Sequence, residues 1–134
     1  DNRRTYPWGN EDLELIEFHR YMTGIRRRNP ALRTGSLTEL LEEPGLIAYG
    51  RFQAAGKETK ESRVVVAVNT CQDVRIFRIP VWKIGITDFE KMRRVMLTYE
   101  EGYNAGVVDY EVGGGILEIE IPPSGSAVLA AEMA

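Results

Sequence analysis

Leu117-Glu118-Ile119-Glu120-Ile121 alternates strictly between aliphatic and acidic side chains. Successive side chains of a β-strand point to opposite faces, so this run places one apolar face on a core and two glutamates in water. Val64-Val65-Val66-Ala67-Val68 is apolar at every position and reads as a strand covered on both faces, in the middle of a sandwich. Working outward, the same period of two assigns strands near 34–41, 46–53, 63–70, 73–79, 93–99, 106–112, 116–121 and 125–131. Pro44-Gly45, Ala55-Gly56-Lys57, Gly113-Gly114-Gly115 and Ser124-Gly125 punctuate them at the spacing of an antiparallel sandwich. Residues 80–90 read as a long crossover, with one helical turn at 88–92.

Before Pro30 the period is that of a helix. Leu15, Phe18, Met22 and Ile25 recur at helical spacing, and Leu13, Ile16 and Tyr21 widen the stripe, giving an amphipathic helix over 11–28. Asn10 can cap it, Glu11 and Asp12 put negative charge in the first turn, and Arg26 to Arg28 offset the negative pole of the helix dipole at the other end. Asn29-Pro30 stops it, because the residue before proline is pushed out of the α region.

A chain of 134 residues with 43% apolar and 28% charged side chains has the composition of one globular unit with a real core. The net charge of -3 disfavours a nucleic-acid or anionic-membrane partner. No apolar run approaches the roughly 20 residues a membrane-spanning helix needs. The single cysteine, Cys71, cannot form an internal disulfide and reads as a small buried hydrophobe.

Asp1-Asn2-Arg3-Arg4-Thr5-Tyr6-Pro7-Trp8 and the helix exit Arg26-Arg27-Arg28-Asn29-Pro30-Ala31-Leu32-Arg33 resemble two motifs of the α-amylase-family glycosidases, those of glycoside hydrolase family 13. The resemblance is closest to the neopullulanase and cyclomaltodextrinase branch. Arg94 to Thr98, Glu100 to Asn104 and Leu117 to Ser124 are similar to that family's C-terminal β-domain. The resemblance implies that residues 1–30 are the terminal segment of a (β/α)8 catalytic barrel, namely a substrate loop and the last helix. Residues 31–134 are then a C-terminal Greek-key β-sandwich of about eight strands. A sequence beginning at Asp1 without methionine is expected to be a piece of a longer enzyme, working in the cytoplasm on α-glucan or maltooligosaccharide and docked to its upstream barrel.

The resemblance carries one binding residue over, Arg3, the arginine of the family's Asp-Pro-x-x-Arg sugar-binding motif. Its aspartate falls four residues earlier, outside the chain. A planar guanidinium with five donors suits paired sugar hydroxyls. Trp8 matches the closing tryptophan of the same segment and reads as a packing anchor. The family's three catalytic carboxylates follow barrel strands four, five and seven, all upstream of Asp1. No catalytic residue is therefore expected here.

The residues agree with that expectation. Hydrolysis of a glycoside needs two carboxylates about 5 to 9.5 Å apart across a cleft. Glu118 and Glu120 are spaced roughly 7 Å apart at about 3.4 Å per residue, but they project side by side into water with nothing to separate their pKa values. Glu42-Glu43 and Glu100-Glu101 read as solvated charge beside turns. The lone His19 has no companions at metal-ligand spacing, and Gly113 to Gly115 lacks the Lys-Ser/Thr of a phosphate loop, so neither metal nor cofactor is expected. Two other functions fit the β pattern: a carbohydrate-binding module using Tyr49, Trp82, Tyr99, Tyr103 and Tyr110, or a stand-alone sandwich that binds other proteins. The apolar stripe of 11–28 would be left bare without a barrel, which suggests a homodimer formed through that helix.

Overall fold

The computed structural model describes Gly9 and residues 12–131. In chain order it has helix α1 (Leu13–Arg28), a single helical turn α2 (Ala31–Thr34), and strands β1 (Thr38–Glu43), β2 (Leu46–Gln53), β3 (Ser62–Asn69) and β4 (Arg75–Ile79). A 3-10 turn (Val81–Ile84) follows, then β5 (Lys91–Tyr99), β6 (Gly102–Asn104), β7 (Val108–Glu111), β8 (Leu117–Ile121) and β9 (Ser126–Ala131).

All pairings are antiparallel. The larger sheet runs β1-β2-β3-β9-β5-β6, with β7 paired to the first half of β5 and β6 to its last residues; β4 and β8 form the second sheet. The chain leaves the large sheet after β3 for β4, returns as β5 to β7, crosses again for β8, and ends as β9, which inserts between β3 and β5, so strands far apart in sequence become neighbours as in a Greek key. Phe77, Ile79, Leu117, Ile119 and Ile121 of the small sheet meet Leu46, Ala48, Val65, Ala67, Met92, Ala127 and Leu129 of the large one, all buried in a single core. Each of these side chains larger than alanine contributes about 1.5 to 3 kcal/mol. Gly50 is required at this contact, since a Cβ there would lie 2.9 Å from the Ile84 methyls.

Among the described residues nine strands are present, in line with the sandwich of about eight expected. Several elements depart from the sequence reading. The start of the expected strand at 34–41 belongs to α2: Pro30 sits at φ -52, ready for a helical turn, and Thr34 N and Gly35 N donate to the carbonyls of Pro30 and Ala31 at 3.0 Å each. The strand expected at 106–112 is the shorter β7, and β6 is an additional short strand before it; between them the Asn104 side chain accepts from Gly106 N at 2.6 Å and turns the chain locally. The helical turn expected at 88–92 is absent; Glu90 closes a tight turn by accepting from Thr87 N at 2.5 Å, and β5 begins at Lys91. Cys71 is half-buried rather than part of the core, its sulfur lying over Gly45, where any Cβ would overlap it.

The cap of α1 is Asp12, whose carboxylate accepts from Leu15 N at 3.0 Å. Asn10 and Glu11 lie outside the described residues. At the other end Asn29 closes the helix as expected, while Arg33 serves its last carbonyls, donating to Arg26 O at 3.1 Å and to Arg27 O.

The helix lies on the outer side of the large sheet. β5 has a bulge between Arg94 and Met96, which disrupts the ladder, and the Tyr21 hydroxyl donates to the carbonyl of Val95 inside it. Phe18 and Tyr21 pack on Tyr103, with ring centroids 4.9 and 5.9 Å apart, and Ile25 is buried. Half of the apolar stripe is thereby covered by the sandwich. Leu13, Leu15 and Met22 remain 73%, 51% and 42% exposed.

Candidate functional site

Arg3 and Trp8 lie outside the described residues. Glu118 and Glu120 stand on the solvent face of β8, where Glu118 pairs with Arg78 across the small sheet at 3.8 Å. His19 is exposed, its Nδ1 2.9 Å from the Leu15 carbonyl one turn back. Among the described residues no three His, Cys, Asp or Glu side chains are grouped to hold a metal ion.

The carboxylate pair that the fold does create was not singled out in the sequence. Glu39 is held above the usual carboxylate range, first by a hydrogen bond with Glu42 and then by its negative charge. Residues three apart in a strand should face opposite ways. The bulge between Glu39 and Leu41 turns them to the same face, where they line a depression of about 630 Å³ with Leu37, Ile47, Tyr49 and Arg51. Arg51 is committed to the carbonyls of Ser36 and Gly35, at 2.8 and 3.0 Å. The pair sits on an exposed sheet surface, so it lacks the desolvation that would make one member a useful acid at neutral pH.

A larger depression, about 750 Å³, runs between the first half of α1 and the β5–β6 edge; Leu15, Phe18, Met22, Met96, Tyr99 and Tyr103 supply its apolar lining. The Tyr103 hydroxyl is raised in pKa by desolvation and then by the Glu17 carboxylate. This is a packing seam under a helix rather than a reaction centre.

The five aromatics considered for sugar binding divide. Tyr103 is spent on holding α1, and Tyr110 is half-buried, its hydroxyl 3.4 Å from Arg94 Nη1. Trp82 is displayed, 56% exposed. Phe89, which the β pattern did not mark, is 96% exposed with φ 70.

No family model matches the chain. It is 31% identical, over 96% of its length, to an amylopullulanase of Thermoanaerobacterium thermosulfurigenes. The fold superposes on an Anoxybacillus α-amylase with a TM-score of 0.73, at 17% identity and covering all of this chain. The chain is thus similar along nearly its whole length to one segment of an amylopullulanase, and its fold is one found in α-amylase chains. An α-amylase of Geobacillus thermoleovorans, crystallised with acarbose, matches the fold with a TM-score of 0.71, at 19% identity over 99% of the chain. The domain spans 7% of the amylopullulanase and 25% and 26% of the two α-amylase chains.

Proposed function

We propose that this chain is the non-catalytic C-terminal domain of an α-glucan-degrading hydrolase acting on α-1,4 bonds, and that it stabilises the catalytic barrel of that enzyme. The observation that carries the reading is the 31% identity to an amylopullulanase along 96% of the chain. Two features support a supporting role. Glu39, whose carboxyl is raised in pKa by Glu42, lies on an open sheet surface. Leu15 and Met22, exposed side by side on α1, offer an aliphatic surface of the kind one domain presents to another. In this reading Arg3 binds a glucose unit in the active site of the longer enzyme.

The test uses both forms of the protein. The longer enzyme should cleave maltooligosaccharides, cyclodextrin or pullulan, and the 134-residue chain should cleave none of them. Turnover by the purified chain that is lost in Glu39→Gln would defeat the reading. In the longer enzyme Arg3→Ala should lower the specificity constant on maltotriose without lowering the melting temperature; an unchanged constant removes Arg3 from the site.

A further inference from the structure

We infer that Trp82 and Phe89 form a surface platform that binds an α-glucan chain, away from the reaction centre of the enzyme; the choice of ligand rests on the function proposed above. Both aromatics are tied by their backbones to the segment from Val112 to Gly115 that joins β7 to β8. Trp82 N donates to Gly115 O at 3.1 Å, and Gly115, at φ 74, leaves the seat for the indole: a Cβ there would lie 2.9 Å from Trp82 Cβ. Asp88 holds that glycine from the other side, accepting from its N–H at 2.6 Å. The next residue, Phe89, donates its own N–H to Val112 O at 3.2 Å.

Phe89 is the unusual member. A non-glycine residue in the left-handed region is strained, and an aromatic that is 96% exposed gains nothing from the core in return. The conformation persists because the turn is over-determined: Glu90 N donates to Thr87 O at 3.3 Å, Glu90 accepts from Thr87 N, and Val112 N donates to Glu90 O at 3.1 Å. Strain of this sort, upheld by surrounding bonds at an exposed site, marks a site kept for function.

The chemistry around the rings chooses the occupant. The bare side of α1 is aliphatic and suits another protein surface. Here two flat rings stand among polar groups, with the Lys83 ammonium 5.9 Å from the Trp82 ring and the Asp88 carboxylate fixed on the same turn. Rings of this kind cover the C–H face of a sugar, while an ammonium and a carboxylate donate to and accept from its hydroxyls.

Titration of the 134-residue chain with maltoheptaose, followed by NMR, tests this. The Trp82 indole N–H and the Phe89 amide should shift saturably. Trp82→Ala should weaken binding at least about tenfold, equivalent to about 1.4 kcal/mol. Phe89→Gly should weaken it severalfold while melting no lower than the parent chain, because glycine accepts the left-handed conformation. The platform is overturned if no resonance shifts at millimolar maltoheptaose, if the shifts fall on Tyr49 or Tyr99 instead, or if both variants bind as tightly as the parent chain. Glucan hydrolysis by the longer enzyme without binding by this chain would defeat the platform alone. Binding here without hydrolysis there would defeat the proposed function alone.

Discussion

Strand β8 and helix α1 both carry a clear apolar period, yet they meet opposite fates. In β8 the three aliphatic positions Leu117, Ile119 and Ile121 are all buried against the large sheet, while Glu118 and Glu120 face water. In α1 only Ile25 is fully buried, and Leu13, Leu15 and Met22 stay exposed. The difference lies in what stands opposite. A strand of a sandwich finds its partner within about 10 Å in the facing sheet, which the same chain supplies. A helix needs a partner along its whole stripe, and this sandwich reaches only the part near Tyr103 and the β5 bulge. Periodicity reports that a face exists; the surface opposite decides whether it is used.

The largest test of that contrast is Ile119→Asp. An unpaired carboxylate in the middle of the core should cost more than about 4 kcal/mol, enough to unfold the domain, and a cooperative melt near the normal temperature would refute the register of β8. On the helix, Ile25→Ala should cost about 2 to 4 kcal/mol, whereas Leu15→Ala should stay within about 0.5 kcal/mol. Equal losses in urea melts would mean that α1 has a partner along both sides. Gly115→Ala should cost about 1 to 3 kcal/mol through its left-handed φ and the Trp82 seat, with Trp82 fluorescence altered.

Two smaller effects sharpen the comparison. If the bare side of α1 pairs with a second copy in the isolated chain, sedimentation equilibrium will show a two-fold dimer at micromolar concentration and Leu15→Ser will dissolve it; a monomer in both cases removes the dimer. At the sheet edge, Arg93 donates to Asp109 at 3.0 Å and holds its carboxyl below the usual range, with burial opposing the shift and the Coulomb attraction of Arg93 and Lys91 adding to it. A depressed folded pKa contributes stability that is complete above about pH 4 and lost as pH falls through the folded value. Asp109→Asn should therefore melt lower than the parent chain at pH 7 and match it in acid. A difference that persists at low pH would assign the effect to something other than ionisation.

The core of the sandwich was legible because it is written in alternation. Leu117 to Ile121 lies where its period of two placed it, Val64 to Val68 is the interior strand that its unbroken apolar run implied, and the stop of α1 at Asn29-Pro30 follows from proline sterics. The errors gather where a local hydrogen bond outbids the pattern, as with Asn104 dividing β6 from β7. The Glu39–Glu42 pair and the display of Phe89 were not legible, because a bulge and a left-handed residue leave no trace in a hydrophobic period.

The sequence by itself determined the β class, the inward faces of the strands and the C-terminal stop of the helix, since these follow from local sterics and from which side chains avoid water. Only the tertiary structure decided which carboxylates share a face, how far α1 is covered, and which aromatics are buried or displayed. Those outcomes depend on bulges, strand order and the shape of the opposing surface, which join residues far apart in the chain, such as Tyr21 with Val95 and Trp82 with Gly115.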